Sequence, residues 1–265
     1  MSRFPSLDEL GRDLLDVSAW KRAISLTLPF LLVAAYCVFA WHGWWLAAVG
    51  CPVVLSFFTY GSISHDLVHR TLRLPAWLNE TLLCAIELIA LRSGHAYRVT
   101  HLHHHARFPA EDDLEAAAAR MTWWRAFVDG MTLQFRLYLL ALRKPGSHRR
   151  WVIGEGIAVG TLVAGAAAAL PWSYWPAIYV GLMLAGSWVF PIVTVLIPHD
   201  ASGTDEITQT RLFRGRVLSV IALEHLYHLE HHLYPQVPHH NWPELARRLD
   251  PHFAARGWRA IKLFW

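Results

Sequence analysis

Four long apolar stretches, grouped as two pairs, limit what this 265-residue chain can fold into. They run over residues 23–41, 44–60, 152–170 and 174–197. A helix needs about 20 apolar residues, within a range of roughly 17 to 25, to cross a bilayer. All four stretches meet that length. The break within each pair is short: His42-Gly43 in the first, Pro171-Trp172-Ser173 in the second. Each pair therefore reads as a hairpin of two crossing helices.

Charge sets the expected orientation. Of the 24 Lys and Arg residues, four precede the first stretch, twelve lie between the second and third, and eight follow the fourth. Neither hairpin turn holds any. Basic residues accumulate on the cytoplasmic side, so both termini and the long middle segment are expected there. Trp41, Trp44, Trp45, Trp172, Tyr174 and Trp175 cluster at the two turns and suit an aromatic belt at the outer interface. Charged residues make up 17% of the chain, against about 25% in an average soluble domain. The net charge of +4 suits anionic lipid headgroups, and there is no nucleic-acid motif. Cys37, Cys51 and Cys84 form no CxxC and all lie in apolar runs, so no disulfide framework is expected. The first 22 residues, with Asp8, Glu9, Asp13 and Asp16, read as a cytoplasmic amphipathic lead-in rather than a signal peptide. Residues 81–91 are too short to span and are expected to dip into the interface; residues 116–143 suit a helix lying on the membrane surface or, equally, one packing on the cytoplasmic cap. A further amphipathic tail runs from residue 242 to 265. The expected fold is one domain over residues 1–265, an all-α integral membrane protein. Four transmembrane helices in two hairpins would carry a helical cytoplasmic cap.

Eight histidines fall in three clusters, each with the spacing of one helix face. They are His65 and His69 in HDLVH, His101, His104 and His105 in HLHHH, and His228, His231 and His232 in HLEHH. Residues three and four apart on a helix point the same way, so each cluster aims its imidazoles at one place. The topology tests this idea. Clusters one and two lie between stretches two and three, and cluster three follows stretch four. All three fall on the same membrane face, where they can converge on one metal centre.

Neutral imidazole suits Fe, Zn, Cu and Ni. A structural zinc takes four ligands, so eight clustered histidines exceed one zinc and would serve two metals with open positions. The zinc-protease string HExxH is absent, since the first cluster reads HDxxH. The Glu-x-x-His pattern of soluble di-iron bundles does not fit either. A histidine-rich two-metal site at a membrane face points to iron and oxygen chemistry on a lipid.

HDLVH, HLHHH and HLEHH, with one membrane hairpin before the first and one between the second and third, resemble the three histidine boxes of the membrane fatty acid desaturase superfamily. YHLEHHLYPQVPHHNWPELARRL, residues 227–249, is similar to the third-box region of its bacterial acyl-lipid members. The resemblance runs from about the first stretch to Leu249. It implies two irons that activate O2 and attack an unactivated C–H bond. The ligands it implies are His65, His69, His101, His104, His105, His228, His231 and His232. Members carry a further histidine just after the fourth span, which is His199 here, in Pro198-His199-Asp200. Relatives close to the animal stearoyl desaturases place an asparagine one helical turn earlier, where this chain has Val195. His225 is an alternative ligand. His103 should face elsewhere, and His42, His148, His239, His240 and His252 are not expected to bind metal.

Metal-bound histidines usually donate their other N–H to a carboxylate or carbonyl. Asp66, Asp200, Glu224 and Glu230 adjoin the clusters and are the candidates. Glu87 and Glu155 sit inside apolar runs and each needs an interior partner, with Arg92 or Arg98 available to Glu87. Glu111-Asp112-Asp113 reads as a loop or helix start with a local structural role.

The resemblance implies an O2-dependent enzyme that introduces a double bond into fatty acyl chains of membrane lipids. The chain shows no nucleotide-binding glycine loop, fused cytochrome or iron–sulfur cysteine set. Electrons would come from an external carrier, a ferredoxin or similar protein, and the basic cytoplasmic face suits an acidic partner. The boxes do not separate a desaturase from a hydroxylase or ketolase acting on a carotenoid or other lipid. A non-catalytic metal carrier would place its ligands within the spans, and these spans hold no histidine.

Overall fold

The structure, a computed structural model, describes residues 4–144, 146–205, 207–215 and 225–263. Of Phe58, Tyr60, Gly61 and His225 it describes the backbone alone. The chain is mostly helical. A short helix, α1 (Leu7–Leu10), leads into α2 (Ala19–Trp41), α3 (Trp45–Phe58), α4 (Ser64–His69), α5 (Ala76–Ile89) and α6 (Gly94–Arg107). There follow α7 (Trp123–Arg143), α8 (Arg149–Ala168), α9 (Trp175–Ser187), α10 (His228–Leu233) and α11 (Trp242–Ala255).

Three stretches, Arg12–Trp41, which contains α2, Arg149–Ala168 and Trp175–Leu196, are long and apolar enough to cross a membrane. The second apolar stretch behaves differently. Its α-helix stops at Phe58, and a π-helical segment, Thr59–Ile63, joins it to α4. The fourth stretch also changes pitch, from α9 to a π segment at Pro191–Leu196. Composition alone does not distinguish α from π winding, so neither segment was legible as a run of apolar residues.

The two hairpin turns meet at one end of the molecule. Trp41 contacts Trp175 edge-on at 5.5 Å between ring centroids, and Trp45 stacks on Tyr174 at 5.5 Å. Tyr36 donates to the Trp175 carbonyl, which locks the turns together just below. Trp41, Trp44, Trp172 and Tyr174 stay exposed there. From Trp45 to His65 is 20 helical residues, about 30 Å at 1.5 Å per residue. The histidine clusters therefore lie at the end remote from the turns.

The cap forms around that remote end. In α11, Trp242, Leu245, Ala246, Leu249 and Phe253 recur at three- and four-residue spacing and are all buried. They pack with Leu10 and Leu14 of the amino-terminal segment, whose first turn is closed by the Ser6–Glu9 capping box. Residues 81–91, expected at the interface, lie largely in α5, where Leu83, Ile86 and Glu87 are buried. In α7, Ala126, Gly130, Leu133, Leu137 and Ala141 face inward. A Cβ on Gly130 would sit 2.2 Å from the Trp188 carbonyl, so only glycine allows this approach. Trp123, Trp124, Val128, Met131 and Phe135 line an adjacent, exposed apolar face of the same helix. One departure from an all-helical fold is a two-residue parallel pairing, Phe213–Arg214 with Ile261–Lys262.

Candidate metal centre

Each histidine cluster sits on its own short helical element. His65 and His69 occupy α4, which follows the first π segment and ends at Arg70 in a left-handed conformation (φ 57°). His101, His104 and His105 lie in the second half of α6, whose start is capped by Ser93 accepting from Ala96 N. His228, His231 and His232 occupy α10. His199 lies three residues after the end of the second π segment.

These nine residues form two groups. One contains His65, His69, His101, His105 and His231; the other contains His104, His199, His228 and His232. Within each group one nitrogen per ring lies within 4.8 Å of all the others. The split follows helical phase. In each H-x-x-H-H string the two histidines four apart join one group and the remaining one joins the other. Box two sends His101 and His105 to the first group, and box three sends His228 and His232 to the second.

The nitrogens that converge are Nε2. His65 lies 3.0 Å from His231, His231 2.8 Å from His105, and His105 3.1 Å from His101. In the second group His228 is 3.1 Å from both His199 and His232, and His199 is 3.3 Å from His232. Ligands at a metal–nitrogen distance of about 2.1 Å and 90° to one another stand about 3.0 Å apart, so these edges match a coordination polyhedron.

The outer nitrogens explain why the inner ones are bare. Carboxylates and carbonyls accept, so Nδ1–H must donate. Asp113 accepts from His104 Nδ1 at 2.7 Å and the Val195 carbonyl from His199 Nδ1 at 3.1 Å, while His101 Nδ1 lies 2.8 Å from Glu115. A neutral imidazole with Nδ1 protonated presents a lone pair at Nε2. Several such lone pairs facing each other repel unless a cation lies among them. Among the described residues, buried His69 Nε2 has no hydrogen-bond partner, which points the same way. The donor set thus fits two metal ions.

Burial keeps most of these rings neutral. It pushes His69 down to about 4 and His105 down to about 2, the latter helped by surrounding imidazoles. His101, His199, His231 and His232 are driven well below the ordinary histidine range, chiefly by burial. Burial also opposes charge on His104, but Asp113 and Glu115 beside it raise its pKa overall. Burial pushes Glu115 up to about 8.

A model of the fatty acid desaturase family matches residues 40–264, a span that contains all nine histidines. The chain belongs to the fatty acid desaturase family. None of the curated proteins compared with it matches. The family is typically di-iron, and in this desaturase-family chain the two histidine groups are where two irons can be held.

The acids differ from expectation. Asp66 binds the backbone N–H of His239 at 3.1 Å and His239 Nδ1 at 2.7 Å, not a box histidine. Glu230 pairs with Arg214 at 2.6 Å. Asp200 accepts from Ser202 within its own loop. Glu224 and the side chain of His225 lie outside the described residues. The reason is geometric: a residue next to a ligand on a helix points about 100° away from it. The acids that reach the rings come from the segment after α6, where Asp113 and Glu115 are both buried. An acidic run following a box, within reach of a folded-back loop, was the signal for them. His103 faces Asp112 instead of either group, as expected. His42 stacks on Trp44, and His148 reaches the Ala141 carbonyl.

Sequence reasoning also missed His95. It is buried and stacks on Trp151 at 4.5 Å. Its Nδ1 lies 2.7 Å from Glu155 and its Nε2 2.8 Å from Glu80. It joins α5, α6 and α8, and supplies Glu155 with the interior partner its apolar surroundings require.

Proposed function

We propose that the chain is an O2-dependent di-iron desaturase of fatty acyl chains in membrane lipids. The family supports a lipid desaturase or related oxidase, and the reading of this chain rests on one observation: nine imidazoles, six of them buried and three half-buried, converge as adjoining groups of five and four. His65, His69, His101, His105 and His231 would hold one iron, and His104, His199, His228 and His232 the other. When bound, the iron pair would supply the reduction of O2 needed to break two unactivated C–H bonds.

The balance of the reaction is two hydrogens taken from adjacent carbons, with O2, two electrons and two protons consumed and two waters formed. The electrons would come from an external carrier of ferredoxin type. The protein's part is to hold neutral imidazoles in place, exclude water and admit an acyl chain. The four-ligand group is bordered by apolar side chains: Phe108 lies 5.4 Å from His104 and 4.6 Å from His199, with Val195 buried beside them. A wall of this kind suits a hydrocarbon.

Four crossing helices are part of the same reading, with α3 and its π extension as the second. Both termini and the metal site would face the cytoplasm, because all 24 Lys and Arg lie outside the two hairpin turns.

Expression in a host of defined lipids and carotenoids, followed by mass spectrometry of both fractions, tests the reaction. Acyl chains two mass units lighter, with a new double bond that depends on O2 and on His101 and His231, are the expected product. A lipid or carotenoid gaining one oxygen without a new double bond would overturn the desaturase assignment in favour of a hydroxylase.

A further inference from the structure

Glu87 and Arg92 form a buried ion pair, with Arg92 Nε 2.8 Å from Glu87 Oε2 and Arg92 Nη2 3.1 Å from Oε1. Their side chains are 0% and 5% exposed. Such a pair is no general gain in stability, because desolvating two charges roughly cancels their attraction. Its contacts suggest a different role. Arg92 Nη2 also donates to Thr59 Oγ1 at 2.9 Å, and Thr59 is the first residue of the first π segment. Ser64 Oγ donates to Glu87, and Ser64 is the residue after that segment and immediately before His65. The guanidinium carbon lies 5.0 Å from the centroid of the Phe190 ring, and Phe190 immediately precedes the second π segment.

The pair thus touches both ends of one π segment and the start of the other. Each segment is followed within three residues by a histidine of the two groups: Thr59–Ile63 by His65, with His69 a turn further on, and Pro191–Leu196 by His199. A π turn inserts a residue, which rotates everything after it by about 100° relative to an α-helix. Winding of this kind is rare and persists only where its surroundings hold it. Arg92 is itself fixed, since its N–H bonds the Glu87 carbonyl at 2.8 Å in the turn that leads into α6 and box two.

We propose that the Glu87–Arg92 pair is a positioning device that sets the spacing and relative orientation of the two metal groups by holding both π segments. This rests on the reading of the nine histidines as ligands of an iron pair. Thr59, Ser64 and Phe190 are the contacts through which it acts.

The test uses the full chain in detergent, loaded with ferrous iron. X-ray absorption gives the iron–iron separation, Mössbauer spectroscopy in applied field gives the coupling between the ions, and steady-state assays separate kcat from KM. The variants are Arg92→Lys, Thr59→Val and Phe190→Leu. Tyr36→Phe serves as a control that removes a hydrogen bond to the Trp175 carbonyl at the remote hairpin end. Arg92→Lys and Thr59→Val should retain both irons with an altered separation and coupling. Their kcat should fall by roughly tenfold to a hundredfold, the cost of small misplacement at a reacting centre, with KM little changed. Tyr36→Phe should lower thermal stability and leave separation and coupling as in the wild type. Should Arg92→Lys fail to fold, Thr59→Val and Phe190→Leu decide, as each removes a single contact. A wild-type iron pair whose separation and coupling no variant alters would overturn the positioning role alone. A wild-type chain that binds no iron pair would overturn the metal reading and this role with it.

Discussion

Asp113 accepts the Nδ1–H of His104 at 2.7 Å with both residues buried, so an acid nine positions along the chain decides which nitrogen of a metal-facing ring is bare. The other Asp113 oxygen accepts from Ala116 N at 3.2 Å, which anchors the acid on the turn after α6. Outer partners of this kind typically contribute 10- to 100-fold to metal affinity, and a loss of about that size is expected for Asp113→Ala. Competition against a graded series of iron chelators measures it. Unchanged retention would mean that the acid does not serve His104.

The five-and-four division predicts unequal responses to ligand loss. His228→Ala leaves the smaller group with His104, His199 and His232, and bound iron should fall towards one per chain. His69→Ala leaves four imidazoles in the larger group, a complete set for a tetrahedral ion, and both irons should be retained at saturating metal. Elemental analysis of the two purified variants distinguishes them. Equal losses would mean that the division does not describe the bound state.

Acid sensitivity is expected at His240, which belongs to neither histidine group. Its Nε2 lies 2.8 Å from Ser25 Oγ, and burial, with His239 and Lys21 nearby, holds its pKa down to about 4 against partial opposition from Asp66. The unfolded chain takes up that proton near pH 6.5 and the folded chain only near 4. Between those values the unfolded state binds more protons, so folding stability is complete above about pH 6.5 and declines as pH falls towards 4. Melting temperature followed from pH 7.5 to 4.5 should fall less steeply for His240→Asn than for the wild type. Parallel curves would refute this assignment.

Glu155 tests the His95 cluster. Its carboxylate accepts from Ser93 Oγ at 2.6 Å and His95 N at 3.1 Å, and its side chain is 1% exposed. Without this carboxylate the buried Ser93 hydroxyl and the His95 N–H lose their acceptor, at a cost of about 1–3 kcal/mol for each group left unsatisfied. Glu155→Leu should therefore melt well below the wild type, and His95→Leu/Glu155→Leu should recover part of the loss. A double variant less stable than Glu155→Leu would show that His95 has no need of this partner.

The boxes were legible because helical spacing is written directly in residue order. HLHHH and HLEHH can place three imidazoles on one side of a helix whatever the rest of the chain does. The common end of the hairpins was legible for a similar reason, since turn tryptophans and the absence of Lys and Arg are local features. The division of the rings was not, because it depends on how α4, α6 and α10 pack against one another. The acids were misplaced for the same cause: Asp66 and Glu230 adjoin ligands in sequence and point away from them in space. Burial demanded a partner for Glu87, but only the turn after α5 shows that Arg92, and not Arg98, supplies it. Arg98 instead pairs with Glu80. The π segments left no trace, since an extra residue per turn changes neither hydropathy nor composition.

The central claim is that nine histidines hold two metal ions side by side. Elemental analysis of the wild-type chain, purified in detergent, loaded anaerobically with ferrous iron and freed of excess by gel filtration, tests it most directly. The account predicts two irons per chain. One iron or none at saturating metal would contradict it.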